Sequence, residues 1–157
     1  MYKNLWIVRI IITVKKYGIL KILITGGSGF IGSHLTRFLK NKHEITIYDV
    51  KKPIDEDVEF ILGDITDDQK ILQSFQDFDI IIHLAAVVGV GITESDPPST
   101  LNINILGTKN ILEACKKNGV KKVILASSSE VYGEPKKVPI DEAQIPIPIT
   151  TYGISKL

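Results

Sequence analysis

Apolar residues alternate between two spacings from residue 20 onward. Short runs rich in Ile, Val and Leu predict five strands, at residues 20–25, 44–49, 58–62, 79–84 and 122–127. Between these runs, apolar residues recur at helical spacing and predict helices at residues 30–40, 67–75, 98–117 and from 151 to the end. Because the strands are apolar on both faces and alternate with helices, we expect an α/β fold with a doubly wound parallel sheet.

The first nineteen residues do not follow this alternation. Their apolar stretch, Leu5 to Val14, is ten residues long and contains Arg9, whereas a membrane-spanning helix needs about 20 apolar residues. No small-residue cleavage site follows, which argues against a signal peptide. We assign residues 1–19 to an N-terminal extension and residues 20–157 to one domain. Whether the extension is an extra strand, an amphipathic tail or a stretch upstream of the true start stays open.

The composition narrows the classes of partner. Nineteen basic and eighteen acidic residues give a net charge of +1, so no overall field attracts nucleic acid or an anionic membrane. The single Cys115 cannot form an internal disulfide, which fits a cytoplasmic setting, and we expect it to pack as a small apolar residue. His34, His43 and His83 lack nearby ligands at metal-site spacing. We therefore expect no metal site, and His83 as a hydrogen-bonded core residue.

The first predicted strand leads into the segment TGGSGFIG, residues 25–32, which opens the first helix. Gly26, Gly29 and Gly32 permit a tight turn, close approach of backbone N–H groups to a pyrophosphate, and close packing of the helix on the sheet. Asp49 ends the next strand, 23 positions after Gly26, where a carboxylate accepts hydrogen bonds from the adenosine ribose. This arrangement predicts a Rossmann-type fold that binds NAD, because the carboxylate would repel the 2′-phosphate of NADP. A turn that binds no ligand is the alternative.

Six segments together resemble one protein family. They occur in the order TGGSGFIG, GDITD at 63–67, HLAA at 83–86, NILGTKNILEA at 104–114, SSSEVYG at 127–133 and YGISK at 152–156. From residue 20 the chain resembles the extended short-chain dehydrogenase/reductases, in particular the NAD-dependent nucleotide-sugar epimerases and dehydratases. The resemblance implies a UDP-sugar substrate and a 4-keto intermediate, as in UDP-glucose 4-epimerases. A 4,6-dehydratase, a UDP-glucuronate decarboxylase and a non-catalytic NAD-binding fragment remain as alternatives.

The resemblance also implies roles for individual residues. Tyr152 would take the proton of the sugar C4 hydroxyl, Ser128 would hydrogen-bond the same oxygen, and Lys156 would hold the nicotinamide ribose. Glu130 would be an acid/base, as in dehydratases, or alternatively a loop-capping carboxylate. Asp64 and Ile65 would flank the adenine ring. The full set of implied cofactor-binding residues is Gly26, Gly29, Phe30, Ile31, Gly32, Asp49, Asp64, Ile65, Leu84, Ala85, Ala86, Tyr152 and Lys156.

Two features near the end of the chain follow from spacing alone. Tyr152 and Lys156 are four positions apart, which places them on one face of a helix. A positive charge ~6 Å from the phenol, at an effective dielectric of ~20, favours the phenolate by roughly 3 kcal/mol. We therefore expect Lys156 to lower the pKa of Tyr152. We also expect the final helix to fray after Lys156, because helix ends lack hydrogen bonds.

The resemblance extends to what lies beyond this chain. Family members continue far past the position of Leu157, adding further strands and a substrate domain. It therefore implies a Rossmann domain truncated before those parts, so whether the chain is active alone is open. Full-length relatives are homodimers, and whether this chain dimerises alone is open too.

Overall fold

The computed structural model describes residues 18–54 and 57–157, except for the side chain of Val90. Its five strands form one parallel sheet in the order β3-β2-β1-β4-β5. Their bounds are β1 Lys21–Thr25, β2 Glu44–Asp49, β3 Glu59–Leu62, β4 Ile80–His83 and β5 Lys122–Leu125. The chain adds strands first on one side of β1 and then on the other. Ligands bind such sheets at the carboxyl ends of the strands, where this direction reverses.

Six α-helices and two shorter helical turns connect the strands in the described ranges. The α-helices are α1 Phe30–Leu39, α2 Asp68–Ser74, α3 Val90–Ser95, α4 Pro97–Leu101, α5 Gly107–Lys117 and α6 Thr151–Lys156. A π-helical turn spans Asn102–Leu106 and a 3₁₀ turn spans Ser129–Tyr132. The predicted strands and helices are confirmed, but the predicted helix 98–117 is divided by the π-helical turn. Helix α3 was not predicted.

Side chains pack against both faces of the sheet. On one face, Leu23 and Ile81 lie in a buried cluster with Phe75 and with Ile111 of α5. On the other face, the buried residues are Ile22, Ile24, Leu39, Ile45, Ile80 and Ile82. Neighbouring residues of β1 thus point to opposite sides, as strand geometry requires. This confirms the expected parallel sheet with two covered faces.

Cys115 belongs to the first of these clusters and is 3% exposed. Burial raises the pKa of its thiol to about 11, so the thiol stays protonated at neutral pH. Cys115 therefore packs as a small apolar residue, as expected.

Helix starts show one difference that matters for the site. Asp67 caps α2 by accepting from the Lys70 N–H, and Asp96 caps α4 by accepting from the Ser99 N–H. Helix α1, in contrast, has Gly29 at its N-cap position and therefore no side-chain cap. Its first N–H groups are therefore not covered by a capping side chain of their own helix.

The domain boundary at residue 20 stays a prediction. Residues 1–17 of the proposed extension 1–19 lie outside the described residues. Over the described ranges, no helix is both long and apolar enough to cross a bilayer.

Candidate cofactor-binding and active site

The glycine loop after β1 packs directly on neighbouring backbone. Gly26 has a φ of +70°, and a Cβ there would lie 2.6 Å from the Ala85 nitrogen. A Cβ on Gly32 would lie 2.3 Å from the Gly26 carbonyl oxygen. Both positions therefore exclude any larger side chain, which explains two of the three glycines Gly26, Gly29 and Gly32.

The start of α1 is open to solvent. Gly29 is exposed, and the side chains of Phe30 and Ile31 are 83% and 60% exposed. The first residues of α1 therefore lie at the surface, and the helix has no side-chain cap. Partial positive charge at a helix start favours phosphate groups, so the loop fits a pyrophosphate.

Asp49, at the end of β2, faces this loop. Its Oδ2 accepts a hydrogen bond from the Ser28 N–H at 3.0 Å, and its Oδ1 accepts one from the Lys51 N–H at 3.0 Å. The Ser28 hydroxyl donates to the Lys51 carbonyl at 2.6 Å. Each carboxylate oxygen has two acceptor positions, so Asp49 retains capacity for ribose hydroxyls. The residues present therefore fit a dinucleotide.

Asp64 and Ile65 follow β3. The Asp64 carboxylate is exposed and accepts from both the N–H and the hydroxyl of Thr66 at 2.8 Å. It does not cap α2, because Asp67 does. The Ile65 side chain is only 5% exposed and packs where a Cβ on Gly107 would lie. That Ile65 flanks an adenine ring stays a prediction, and the burial of this residue favours a contact through its backbone.

The segment after β4 closes the same edge of the sheet. Leu84, Ala85 and Ala86 are partly buried. The Leu84 N–H donates to the Thr25 carbonyl at 3.0 Å and the Ala85 N–H to the Thr25 hydroxyl at 3.3 Å. The glycine loop and the segment Leu84 to Ala86 are thus in direct contact, as the predicted site requires.

His83 ends β4 and is 3% exposed. Its Nδ1 lies 2.6 Å from the Thr25 hydroxyl, and its Nε2 lies 3.0 Å from the Thr108 hydroxyl. Thr108 donates its own proton to the Asn104 carbonyl, so the His83 Nε2–H must donate to Thr108. Burial, followed by the charge of Lys156, lowers the pKa of His83 to about 4. His83 is therefore the neutral, hydrogen-bonded core residue that we expected.

Asn104 lies in the π-helical turn and is 2% exposed. Its Oδ1 accepts from the Val87 N–H at 2.8 Å, and its Nδ2 donates to the Val87 carbonyl at 3.1 Å and to the Ser155 hydroxyl at 2.9 Å. Asn104 thereby connects the loop after β4 with α6.

The structure brings Ser128, Tyr152 and Lys156 together. The Ser128 side chain lies close enough to Tyr152 to lower the pKa of its phenol, and Lys156 Nζ lies 5.9 Å from the centroid of the Tyr152 ring. Ser127 donates to the Lys156 carbonyl at 3.0 Å. These contacts hold α6 against the end of β5, and the helix ends at Lys156, so fraying after this residue stays a prediction.

The pKa of Tyr152 differs from our expectation. Burial and then the charge of Glu130 raise it, while the Ser128 hydrogen bond lowers it. Burial also lowers the pKa of Lys156. The expectation that Lys156 brings the phenol pKa below its ordinary value is therefore wrong for this chain by itself.

Glu130 has a specific partner. Its Oε2 accepts from the Thr150 hydroxyl at 2.8 Å, and the Thr150 oxygen accepts from the Gly153 N–H at 2.9 Å. Glu130 is therefore linked to the first turn of α6, which corresponds to the loop-capping alternative.

Comparison with known proteins agrees with this geometry. The NAD dependent epimerase/dehydratase family matches residues 22–157. The chain belongs to this family. NAD is accordingly the cofactor of the family, and the sheet with its glycine loop is the Rossmann fold of these epimerases.

Several similar proteins are UDP-glucose 4-epimerases. The enzyme of Halalkalibacterium halodurans is 38% identical over 143 residues, covering 87% of this chain and 43% of that protein. The structure of the Thermotoga maritima enzyme with UDP-glucose has a TM-score of 0.81 at 35% identity, over 87% of this chain and 48% of that one. The Thermus thermophilus enzyme, in complex with NAD, has a TM-score of 0.80 at 32% identity, over 87% and 47%. The chain spans about half the length of the curated relatives it matches.

Two residues of this family member were missed by sequence reasoning. Glu94 accepts hydrogen bonds from the N–H and hydroxyl of Thr151, and Ser28 contacts Asp49. Neither has a local signal, because each contact joins positions far apart in the chain. Thr150, the N-cap of α6, is different. A threonine directly before a helix is a common N-cap, so its role could have been predicted from the sequence.

Away from the epimerase-family site, the described residues form a cavity but no cluster of metal-binding side chains. Within the described ranges, no three His, Cys, Asp or Glu side chains are grouped to hold a metal ion. A cavity of about 600 Å³ lies at the opposite edge of the sheet, where its lining includes Lys21, Glu44 and Glu59. This cavity shares no residue with the predicted site.

Proposed function

We propose that this chain is the NAD-binding portion of a nucleotide-sugar epimerase of the UDP-glucose 4-epimerase type. The observation that supports this most directly is the grouping of Ser128, Tyr152 and Lys156 at the end of β5. The glycine loop and Asp49 lie at the same edge of the sheet, where the strands end. A UDP-sugar is the proposed partner, and we propose a cytoplasmic location because Cys115 is an unpaired thiol.

The cofactor would extend along this edge. The N–H groups at the start of α1 would hold its pyrophosphate, and Asp49 its adenosine ribose. Asp64 and the backbone of Ile65 would contact the adenine. When bound, NAD supplies the hydride acceptor and a positive charge. The remaining residues of this surface, from Leu84 to Ala86 and on α6, would line the path toward the nicotinamide.

The side chains near α6 would handle the proton of the sugar. Tyr152 Oη would accept the proton of the C4 hydroxyl while Ser128 Oγ holds the same oxygen. In this chain by itself the pKa of Tyr152 is raised, so the ammonium of Lys156 would favour the phenolate only together with the positive charge that bound NAD adds. With the C4 hydride taken up by NAD, a 4-keto sugar would result. Return of that hydride to the other face of the ketone, with the proton from Tyr152, would give the 4-epimer.

Glu130 separates this proposal from the elimination reactions of the same family. A dehydratase or decarboxylase outcome would use Glu130 as an acid/base beside the ketone. Its carboxylate instead accepts the Thr150 hydroxyl and is engaged in holding α6. This contact favours epimerisation. Product analysis with UDP-galactose and UDP-glucuronate distinguishes the two outcomes.

The proposal is tested by calorimetric titration of the chain with NAD, together with an assay for conversion of UDP-galactose to UDP-glucose. Binding with turnover supports an epimerase that is active as this chain. Binding without turnover supports an NAD-binding portion that requires further sequence for activity. Absence of NAD binding by the folded chain overturns the proposal.

Asp49→Asn tests the ribose contact. We expect NAD binding to weaken by about tenfold, because a charge-assisted hydrogen bond is replaced by a neutral one. The preference for NAD over NADP should also narrow, since the repulsion of the 2′-phosphate is lost. Calorimetry with both dinucleotides measures this change. Glu113→Gln is the matched control, because it removes the same charge from an exposed pair with Lys109. Unchanged NAD binding by Asp49→Asn would contradict the assignment.

Tyr152→Phe tests the proton transfer. Removing the phenol oxygen should reduce turnover by about 10²-fold or more, the usual contribution of a general base. NAD binding should change little, because the ring remains. Steady-state assays and calorimetry measure the two effects separately. Tyr132→Phe, on the 3₁₀ turn, makes the same chemical change outside the proposed machinery. Equal turnover by both variants would remove Tyr152 from the mechanism.

A further inference from the structure

Helix α6 begins next to the carboxylate of Glu94, a residue of α3. Glu94 Oε1 accepts from the Thr151 N–H at 2.8 Å, and its Oε2 accepts from the Thr151 hydroxyl at 3.2 Å. The two residues are 57 positions apart. Both oxygens of one carboxylate are thus directed at the residue immediately before Tyr152.

The short length of α6 makes such contacts important. The helix has six residues, and a helix of this length is not stable by itself. Thr150 and Glu130 hold its first turn from one side, and Asn104 holds Ser155. Glu94 is the side chain that accepts the Thr151 N–H, which lies ahead of the first hydrogen bond of the helix itself, from Ile154 to Thr150.

We propose that Glu94 is a positioning residue that sets the orientation of Tyr152. This inference rests on the function proposed above. Rotation of the first turn of α6 would move the phenol away from Ser128, and the Glu94 contact opposes that rotation. Glu94 therefore acts through Thr151 and does not touch the reacting atoms.

The position of α3 gives this contact a second consequence. Val87, Val88 and Gly89 connect the segment of Ala85 and Ala86 to helix α3, and Gly89 has a φ of +100°. Glu94 therefore connects the loop that lines the proposed cofactor path with the helix that carries Tyr152. A displacement of this loop would reach the first turn of α6 through Glu94, whereas Asn104 connects the same loop to Ser155 near the end of the helix.

Three variants of the full chain test the proposal: Glu94→Ala, Glu94→Gln and Thr151→Val. In Glu94→Ala we expect about tenfold faster hydrogen exchange in residues 151–157, from loss of a charge-assisted hydrogen bond, with no change in the sheet. We also expect kcat to fall by about tenfold with KM nearly unchanged. Glu94→Gln should resemble the wild type, because its amide oxygen can accept from the Thr151 N–H and its amide nitrogen can donate to the hydroxyl. Thr151→Val keeps the N–H contact and should be intermediate.

The outcomes are distinct. Faster exchange confined to residues 151–157 in Glu94→Ala, rescued by Glu94→Gln, supports the proposal. Unchanged exchange in Glu94→Ala overturns it, and so does an equal loss of kcat in Glu94→Ala and Glu94→Gln, which would indicate a role of the charge itself. If Glu94→Ala does not fold, hydrogen exchange of Thr151→Val is used instead. Faster exchange confined to residues 151–157 in this variant supports the proposal, and unchanged exchange overturns it. Failure of the wild type to bind NAD or turn over would overturn the proposed function, while the exchange measurements would still decide the role of Glu94.

Discussion

Gly32→Ala should be the most damaging single substitution that we predict, with a loss of about 3 kcal/mol of folding free energy. The new Cβ would lie 2.3 Å from the Gly26 oxygen and 2.6 Å from Gly27 Cα. Both are backbone atoms, so the clash cannot be relieved by a side-chain rotation. Either α1 moves away from the sheet or the glycine loop opens, and NAD binding should weaken in both cases. Denaturant unfolding and NAD calorimetry measure the two effects.

Two other glycines supply matched controls. Gly91 lies in α3 with nothing within 4 Å of an added methyl group, and Gly89 has equal space but a φ of +100°. Gly91→Ala should leave stability unchanged or raise it by up to about 1 kcal/mol, because alanine favours helix. Gly89→Ala should cost about 1 to 2 kcal/mol from its backbone conformation alone. A Gly32→Ala variant as stable as Gly91→Ala would contradict the packing described for the loop.

The pH dependence of folding should carry a contribution from His83. Its pKa falls from 6.5 to about 4 on folding, so the unfolded chain binds a proton in this interval and the folded chain does not. Stability from this group is complete above pH 6.5 and is lost as the pH falls toward about 4. The expected loss is roughly 3 kcal/mol, from about 1.36 kcal/mol for each unit of pKa. Unfolding in denaturant between pH 4 and pH 7 measures it.

His83→Gln separates this contribution from that of the acidic residues. The variant should be less stable at pH 7, because glutamine cannot reproduce both hydrogen bonds, to Thr25 and to Thr108. Its stability should nevertheless fall less steeply toward pH 4. The carboxylate of Asp79, whose pKa is lowered by Lys121, contributes equally in both proteins. Parallel pH profiles would show that His83 already takes up a proton in the folded protein.

The strands and the glycine loop could be predicted because their signals are local. Each apolar run defines its own strand. The spacing of Gly26, Gly29 and Asp49 is typical of a dinucleotide-binding Rossmann-type fold. Helix α3 lacks such a signal, because its sequence, VGITES, has a glycine and several β-branched residues. Its Glu94 contacts α6, which is far away in the sequence. The π-helical turn is equally hidden, since Asn104 bonds to Val87.

In the candidate site, too, local spacing could be predicted from the sequence, whereas effects of contacts between distant positions could not. Spacing placed Tyr152 and Lys156 near each other, and the structure gives 5.9 Å between the ammonium and the ring centre. The direction of the pKa shift of Tyr152 was wrong, because burial and Glu130 dominate it. Burial depends on how all the surrounding elements pack, and a pair of residues in one helix does not reveal it. The role of Glu130 depends in the same way on its contact with Thr150.

The contact between Asp49 and Ser28 has a consequence for redesign of the coenzyme preference. One carboxylate oxygen holds the Ser28 amide of the glycine loop, so the acid also braces the loop beneath the pyrophosphate. Replacing Asp49 with a residue that has no hydrogen-bond acceptor would therefore weaken the binding of both NAD and NADP. A variant built for NADP should therefore keep a short acceptor side chain at this position and place its new cation elsewhere on the rim of the crevice.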